Sequence, residues 1–536
     1  MAIGLFALAI AVSAASGVLA VRNGWAATGD NALMGIRTRD ILHGHFPLIG
    51  QPTTGDNLSD AAPSSHPGPM EFYLLAPFTL AFGAQAGLPL GAAAINATAL
   101  VAIIWAALRR GGLVLAGLVA AAVFLASASI GAEQLHDPLS SAIGVWPALA
   151  MVLLGWGVLD DDRRLLVPFI IAASFTMQAH LSYLSFGAPF VIVVLGIAIT
   201  RVVREIRANR VKLWKVPGWM WRFERSMVFA VVMGVVLWMP PFVEQFTRSD
   251  GNISAIIKTF TAKGKGAPSR GIGFGLDRLF FALAPPPIFM RRLQALGHLA
   301  SIGWLTRVLG VAVLVVLGFL LRRSRKRSRQ TTTSLALLLA LTMVAGVVSA
   351  GALPGLATLK VANFRWMWVA AVLVWTTGIW MAYRLFGKRL AGHRGAVRGV
   401  VGALALMAGI YTVASFDFSS ERDVGAMRGV PVLSKDVRRD LPKGRYKIGF
   451  DGGNAGLTVG PAVAYDLYLH GYTIVVNASG ISRAYGDLHT DNGDPVKGTL
   501  TVHSAAKEVD KEDDVVIARA TLDDNGVPYE IWVTVA

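Results

Sequence analysis

Residues 2–32 read AIGLFALAIAVSAASGVLAVRNGWAATGDNA, an apolar run followed by a short polar turn. An α-helix of about 20 apolar residues crosses the hydrocarbon core of a bilayer, which is about 30 Å thick. The run has no basic segment in front of it, although the alanine-rich stretch near 15–20 resembles a signal-peptide cleavage site. We predict an uncleaved first membrane helix, because the residues directly after it are candidates for function.

The composition of the whole chain agrees with a membrane protein. Of its 536 residues, 54% are hydrophobic and only 15% are charged, whereas soluble proteins carry roughly a quarter charged residues. The sequence contains no cysteine, which excludes disulfides, thiolate metal sites, iron–sulfur clusters and a cysteine nucleophile. The composition therefore predicts a polytopic membrane protein.

Apolar length predicts eleven membrane-spanning helices. Several of these segments have fewer than about 20 residues, so short or tilted helices are expected among them. The segments are 2–21, 88–108, 112–130, 141–159, 165–180, 184–200, 227–241, 299–321, 331–352, 364–386 and 399–415.

The net charge of +17 indicates orientation. Five loops hold 22 Lys and Arg against five acidic residues, which accounts for the entire excess; they are 109–110, 160–164, 201–226, 322–329 and 387–398. If these loops are cytoplasmic, every span alternates correctly. We therefore predict a multi-pass protein of the plasma (inner) membrane with a cytoplasmic N-terminus. We therefore interpret the basic run RRSRKRSR at 322–329 as a loop that fixes the orientation of the chain in the membrane, and not as a nucleic-acid-binding patch.

The chain divides into two parts by composition. Residues 1–415 form the predicted transmembrane catalytic domain, whose first outer loop, 22–87, carries juxtamembrane helices. Residues 416–536 are polar, with 18 acidic and 13 basic residues, and contain β-rich runs at 446–450, 462–476 and 499–502. They predict a small α/β domain outside the membrane, periplasmic or extracellular.

Charged groups beside a bilayer need partners or a wet cavity, so the outer loops are the place to look for chemistry. Asp30 lies just beyond the first helix, where a carboxylate can accept a proton from a hydroxyl group. Its alternative role is to cap the amphipathic run 32–42. Arg37 is a candidate ligand of phosphate, and a carboxylate or headgroup partner is its alternative.

Other candidate side chains lie in later outer connections. Some are polar side chains clustered in a short turn between two predicted spans, where a tight turn alone does not require them. Others lie in a loop with glycine and lysine that could close over an anionic headgroup. The candidates are His66, Glu133, Gln178, His180, Tyr183, Glu244, Gln245, Asn252, Lys263 and Arg365. His43, His45 and His66 do not have the spacing of a metal-binding motif, so no catalytic metal is expected.

These residues resemble motifs of the GT-C superfamily of glycosyltransferases, which use polyprenyl-phosphate sugars as donors. Relatives include protein mannosyltransferases, lipid A aminoarabinose transferases and actinobacterial arabinofuranosyltransferases. The resemblance covers the whole membrane region and the extracytoplasmic domain. Its motifs are Gly29-Asp30-Asn31-Ala32, Arg39-Asp40, His66-Pro67-Gly68-Pro69, Gln178-Ala179-His180, Pro240-Pro241 with Glu244-Gln245 and Gly251-Asn252, and Phe364-Arg365-Trp366.

The resemblance implies a fold and a reaction. The fold would be an α-helical GT-C membrane domain with a small extracytoplasmic domain. The enzyme would move a hexose or pentose from a polyprenyl-phosphate donor to an acceptor hydroxyl, on a cell-envelope glycan, a glycolipid or a protein, with inversion. Asp30 would be the general base, and Arg365 with a loop lysine would stabilise the leaving phosphate. Five further residues would line the sugar or acceptor site: Gln178, His180, Glu244, Gln245 and Asn252.

The sequence also departs from the family pattern. Asn31 follows Asp30 where mannosyltransferases have an Asp-Glu pair, so Asp40 or Glu133 would have to supply a second carboxylate. Asp137 stands before Pro138 where asparagine is expected. These departures leave the sugar and the acceptor open.

Two other functions are compatible with a polytopic membrane protein. A flippase or secondary transporter would place its polar site at the centre of the spans, whereas the polar residues here cluster at span ends. A non-catalytic scaffold would carry recognition in the C-terminal domain. No cofactor is expected, and the expected partners are membrane lipids, the lipid-linked sugar and the acceptor.

Overall fold

The computed structural model describes most of the chain. The described residues are 1–53, 63–208, 218–261, 268–292, 302–326, 328–353, 355, 359–387, 389, 391–453, 455–477, 480–505, 515–524 and 527–536. Lys263, a predicted site residue, lies outside them.

The described residues form seventeen α-helices. In chain order these are α1 (Ala2–Arg22), α2 (Gly29–Leu42), α3 (Met70–Phe82), α4 (Gly87–Ile130), α5 (Ser140–Ile143), α6 (Val145–Leu159), α7 (Leu166–Ala179), α8 (Leu181–Ala208), α9 (Gly218–Thr247), α10 (Asn252–Thr261), α11 (Gly271–Leu283), α12 (Trp304–Ser324), α13 (Arg329–Gly351), α14 (Trp366–Phe386), α15 (Arg394–Ala414), α16 (Val424–Asp440) and α17 (Gly460–Leu469).

Nine helices within the described residues are long and apolar enough to cross a membrane, against eleven predicted spans. The first difference is α4, a single 44-residue element that contains two predicted spans. Gly112 separates them with a φ of 67°, which a glycine adopts without steric cost. The second difference is α7, which has only 14 residues and is shorter than a typical span. The prediction of a polytopic helical membrane fold is confirmed.

An ion-pair network joins two of the loops predicted to be cytoplasmic, 109–110 and 160–164, and a hydrogen bond connects it to the start of α13. Arg109 donates to Asp162 at 2.6 and 2.9 Å, and Arg110 donates to Asp162 at 2.7 Å and to Asp160 at 3.3 Å. The hydroxyl of Ser334 on α13 also donates to Asp160. The break in α4, the turn after α6 and the start of α13 therefore meet at one end of the helix bundle, as expected of loops on the same side of a membrane.

The C-terminal segment contains a five-stranded sheet. Its strands are β1 (Arg445–Asp451), β2 (Thr473–Val475), β3 (Thr499–Ala505), β4 (Val515–Asp524) and β5 (Val527–Val535), in the spatial order β2-β1-β3-β5-β4. β1 pairs in parallel with β2 and β3, and β5 pairs antiparallel with β3 and β4. The predicted α/β character is confirmed. The β-rich run at 462–476 is mostly helix, because α17 occupies it before β2 begins.

The sheet domain packs on the helices of the first outer loop. One apolar core contains buried residues of α2 and α3 together with residues of α16, α17 and the sheet. Tyr465 of α17 is fully buried against Gly35 of α2, and its hydroxyl donates to the Ala84 carbonyl at 3.0 Å. The predicted domain boundary at residue 415 follows the end of α15. Because the apolar core contains residues from both sides of this position, the boundary stays a prediction.

Gly35→Ala tests the contact between these two parts of the chain. A Cβ at this position would lie 2.8 Å from the Tyr465 hydroxyl oxygen, and the buried ring has no room to move. We expect a loss of about 1–3 kcal/mol of stability from overpacking, measured as a lower thermal unfolding midpoint of the purified protein. Gly378→Ala on α14 is the control, since a Cβ there meets nothing within 4 Å. Equal midpoints for the two variants would contradict the packing argument.

Candidate active site

Asp30 lies in the first turn of α2, directly after a sharp turn of the chain. Gly29 has a φ of 50°, and a Cβ at this position would lie 2.9 Å from the Leu457 carbonyl oxygen. Glycine is therefore required both by the backbone conformation and by the close approach of the C-terminal domain. The helix begins at Gly29 with Thr28 in the capping position and no side-chain cap. The alternative role of Asp30 as a cap is thus not what the structure shows.

The Asp30 carboxylate is accessible to solvent although protein surrounds it, as expected for a group on the wall of a cleft. Burial raises the pKa of Asp30 above its ordinary value of 3.8; the positive charges of Arg422 and Lys360 oppose this shift, and the negative charge of Asp137 adds to it. A carboxylate with a raised pKa is a stronger base than one in water. The site therefore makes Asp30 better suited to accept a proton.

Asp137 supplies a second carboxylate beside Asp30. Its Oδ1 accepts a hydrogen bond from Asn31 Nδ2 at 3.0 Å and another from the Leu139 backbone N–H at 3.0 Å. Asn31, which follows Asp30 in the chain, thus holds the second outer loop against α2. The sequence argument expected the second carboxylate at Asp40 or Glu133 and noted Asp137 only as a departure from the family pattern.

Glu133 lies close to this pair of carboxylates. Burial raises its pKa to about 7, and the neighbouring charge of Asp137 adds to the increase. The side chain folds back over Gly131 at the start of the same loop. The structure therefore brings Glu133, a predicted site residue, to the Asp30 region as a carboxyl group that titrates near neutral pH.

A second group of predicted residues surrounds two imidazole rings in contact, tilted by 42° to each other. The rings of His66 and His180 lie 4.3 Å apart, and His66 Nδ1 accepts a hydrogen bond from the Leu181 backbone N–H at 3.2 Å. Burial lowers the pKa of His66 to about 4. Burial also lowers the pKa of His180, and the charges of His66, Arg365 and Lys360 lower it further. Both rings are therefore neutral hydrogen-bonding groups at physiological pH.

Arg365 and Tyr183 converge on Ser141 of the short helix α5. Arg365 Nη1 donates to Ser141 Oγ at 3.0 Å, and the Tyr183 hydroxyl donates to the Ser141 carbonyl at 2.7 Å. Lys360 acts electrostatically on both His180 and Asp30. Its charge therefore lies within electrostatic range of both the histidine group and the carboxylate group.

The site and the predicted cytoplasmic loops lie at opposite ends of the same helix. Ser141 comes just before α6, whereas Asp160, in the ion-pair network with Arg110, comes directly after it. The 15 residues of α6 correspond to a length of about 22 Å. The candidate site therefore faces the side of the bundle away from the basic loops.

Three predicted substrate ligands instead have structural hydrogen bonds. Asn252 Oδ1 accepts from the Ser65 backbone N–H at 2.8 Å, and its own backbone N–H donates to Glu244 Oε2 at 2.8 Å. Gln245 binds the side chain and backbone of Ser254. These residues fasten the turn before α10 to the chain entering His66, so they support the site from outside.

Gln178 has both a structural hydrogen bond and a side-chain oxygen that, among the described residues, is free to bind a ligand. Its Nε2 donates to the Leu237 carbonyl at 2.8 Å, and the side chain packs against Gly68 beside His66. Its Oε1 is buried and has no partner within the described residues. One end of the amide is therefore structural, and the other is left for a donor.

Asp40 and Arg37 lie at the contact with the C-terminal domain. Asp40 is 2% exposed; its Oδ1 accepts from the Tyr468 hydroxyl at 3.1 Å and lies 3.1 Å from His489 Nε2. Arg37 packs against Gly486 of the same domain. The structure does not bring either residue to the Asp30 group, because both are occupied in domain docking.

Glu71 is a buried acidic residue that the sequence argument missed. It lies in the first turn of α3, is 5% exposed, and its Oε1 has no partner within the described residues. Burial raises its pKa well above the ordinary value, and Asp137 adds to this. The sequence contained a signal, since Glu71 is the single charged residue in the apolar run MEFYLLAPFTLAF.

Within the described residues, no group of three or more histidine or acidic side chains is arranged to hold a metal ion.

Arg422, like Glu71, is a residue of the site that the sequence did not indicate. It reaches the site from the C-terminal segment, 4.0 Å from Asp137 Oδ2. A contact across so many residues of sequence leaves no local signal.

No protein-family model matches the chain, and no curated protein matches its sequence. Its fold does match a solved structure: the crystal structure of ArnT from Cupriavidus metallidurans bound to undecaprenyl phosphate. The match has a TM-score of 0.55 at 12% sequence identity and covers 98% of this chain and 97% of that chain. The chain therefore has the fold of ArnT over nearly its whole length, and the predicted fold class is confirmed.

The lowered pKa of His66 predicts a pH-dependent loss of stability. Below pH 6.5 the unfolded chain takes up a proton that the folded protein resists until pH falls to about 4. This interval is worth about 3 kcal/mol. We expect the thermal midpoint to fall more between pH 7 and pH 4.5 for the wild-type protein than for His66→Gln. His43→Gln, at the exposed end of α2, is the control. An unchanged pH dependence in His66→Gln would contradict the argument.

Proposed function

We propose that this protein is a membrane glycosyltransferase that moves a sugar from a polyprenyl-phosphate donor to an acceptor hydroxyl on the outer face of the plasma membrane. The observation that carries the proposal is an accessible but enclosed carboxylate, Asp30, in a site with three cationic groups, Lys360, Arg365 and Arg422. The fold shared with ArnT supports it, because that protein was crystallised with undecaprenyl phosphate.

The proposed reaction needs one base and a site for one anionic leaving group. The acceptor oxygen attacks the anomeric carbon as its proton passes to the Asp30 carboxylate. The bond from the anomeric carbon to the phosphate oxygen breaks, and polyprenyl phosphate leaves with the electron pair. Attack from the face opposite to the leaving group inverts the configuration at the anomeric carbon.

The charges of the site fit this division of roles. Asp30 lies among carboxylates and is accessible to solvent. Arg365, at the start of α14, acts electrostatically on His180 and has an Nε without a partner within the described residues. A guanidinium with donors to spare suits the leaving phosphate, and Lys360 would add a second positive charge. His66 and His180, as neutral rings, would form hydrogen bonds with the sugar. The sugar would then lie between these rings and the cationic side chains.

The chemistry of the site indicates the chemical classes of the donor and the acceptor. The donor would be a hexosyl or pentosyl polyprenyl phosphate, and the acceptor a cell-envelope glycan, a glycolipid or a protein.

The proposed orientation places the N-terminus in the cytoplasm and the C-terminal domain outside. It rests on the concentration of basic residues in the loops at the end of the bundle opposite to Asp30.

Asp30→Asn tests the proposed base. The amide keeps the shape of the side chain but cannot accept a proton, so we expect transfer to fall by about a hundredfold or more. The measurement is sugar transfer by the purified protein from a panel of radiolabelled polyprenyl-phosphate sugars. Asp494→Asn, on an exposed turn, is the control. Full activity of folded Asp30→Asn would sink the base assignment, and no transfer by the wild-type protein from any donor would contradict the proposed reaction.

Arg365→Gln tests the proposed phosphate position. A charged hydrogen bond is worth about 1.5–3 kcal/mol, so we expect undecaprenyl phosphate to bind about ten- to a hundredfold more weakly, measured by native mass spectrometry or ligand-induced thermal shift. Arg384→Gln is the matched control, because Arg384 lies in the last turn of the same helix, at its opposite end. If the two variants bind undecaprenyl phosphate equally well, the phosphate lies elsewhere.

A further inference from the structure

Two consecutive residues of the C-terminal segment face two consecutive residues of the second outer loop. His136 Nε2 lies 3.2 Å from Glu421 Oε1, and Arg422 Nη2 lies 4.0 Å from Asp137 Oδ2. The first pair is buried, and Ser16 of α1 fixes it further, since its Oγ lies 2.8 Å from His136 Nδ1. The chain after the last membrane helix is therefore clamped onto the outer loop beside Asp30.

The clamp places one guanidinium among several acidic groups. Arg422 also lies 3.6 Å from Asp423 Oδ2, and about half of its side chain remains accessible. The negative charges of Asp137, Asp423, Asp30 and Glu133 all act on it; burial would lower the pKa of Arg422, but these charges outweigh burial and raise it. Arg422 is thus the positive centre of the acidic end of the site.

We propose that Arg422 is a positioning residue of the transfer reaction, through which the C-terminal domain keeps the Asp30 and Asp137 carboxylates ionised together and Asp30 ready to accept a proton. This inference rests on the proposed function. It gives the C-terminal domain a part in the chemistry in addition to any role in recognising the acceptor.

Like charges repel each other strongly in an enclosed place. Each of two neighbouring carboxylates therefore raises the pKa of the other, and a nearby cation opposes this increase. Three segments contribute the charges that act on Asp30: Lys360 comes from the segment before α14, Asp137 from the second outer loop, and Arg422 from the C-terminal segment. Without Arg422, Lys360 would be the main cation left beside Asp30, and it is also needed by the donor phosphate.

The direction of the effect follows from these charges. Burial raises the pKa of Asp30, and Arg422 is the strongest opposing charge. Removing it should raise the pKa of Asp30 further, toward neutral pH. A protonated Asp30 cannot act as a base, so activity at neutral pH would be lost and would return as the pH is raised.

The first test reads the protonation of Asp30 without relying on catalysis. A carbodiimide such as dicyclohexylcarbodiimide reacts with protonated carboxyl groups, and mass spectrometry of the Asp30 peptide gives the pH at which labelling is half-maximal. In Arg422→Gln we expect this midpoint to rise by about one pH unit or more relative to the wild type. Arg422→Lys, which keeps the charge, should stay near the wild-type midpoint.

Two controls make the result specific. Arg439→Gln removes another arginine of the same domain, which pairs with Asp436 at 3.0 Å away from the site, and should leave the midpoint unchanged. Asp137→Asn removes the neighbouring negative charge and should lower the midpoint, which shows that the measurement responds to charge beside Asp30. If Arg422→Gln does not fold, Arg422→Met takes its place. A folded variant without charge at position 422 whose Asp30 midpoint equals that of the wild type overturns the proposal, whatever Asp137→Asn does.

The second test uses the pH profile of sugar transfer. In Arg422→Gln the acid limb of the profile should move to higher pH by the same amount as the labelling midpoint, with the maximal rate largely recovered at alkaline pH. Equal loss at every pH would show a merely structural role. If the wild-type protein transfers no sugar, the proposed function fails, while the labelling experiment still decides whether Arg422 controls the charge of Asp30.

Discussion

The free-energy cost of placing charge beside a bilayer constrains the arrangement of this protein. A charged group removed from water is stable only with a partner or in a wet cavity. The structure satisfies this condition at both ends of the helix bundle, in different ways. At one end Arg109 and Arg110 neutralise Asp160 and Asp162 in a closed network. At the other, acidic groups outnumber their partners around an accessible carboxylate, Asp30.

This contrast separates a balanced charge cluster from the one that we propose to be functional. In the closed network each aspartate accepts from an arginine and the charges balance. At the outer end, burial leaves Asp30, Glu133 and Glu71 with raised pKa values, which costs stability. Groups held in such an unfavourable state are typical of sites that move protons. The proposed transfer reaction uses that property through Asp30.

The C-terminal domain depends on the same constraint. Its apolar core continues into α2 and α3, and its polar contacts satisfy charges that the outer loops could not bury alone. Asp40 accepts from Tyr468 beside His489, and Asp137 pairs with Arg422. A domain that seemed from composition to be a separate unit is therefore part of the wall of the site.

The sequence by itself determined the polytopic helical fold and the gathering of basic residues in a few loops, and it predicted Asp30, His66 and Arg365 as site residues. These follow from local quantities: apolar length, loop charge and short motifs. Only the tertiary structure decided that Asp137 is the carboxylate beside Asp30, and that Arg422 compensates it. Charges act through space, so their partners come from residues hundreds of positions apart that no local pattern connects.

The same reason explains the predicted ligands that the structure places elsewhere. Asp40, Glu244 and Asn252 are polar residues in outer loops, and sequence alone cannot distinguish a side chain that faces a substrate from one that fastens two segments of chain. Burial and hydrogen-bond partners make that distinction, and both are set when distant segments pack. The sequence thus determined which residues could do the chemistry, and the packing of the C-terminal domain and outer loops decided which of them are left accessible to do it.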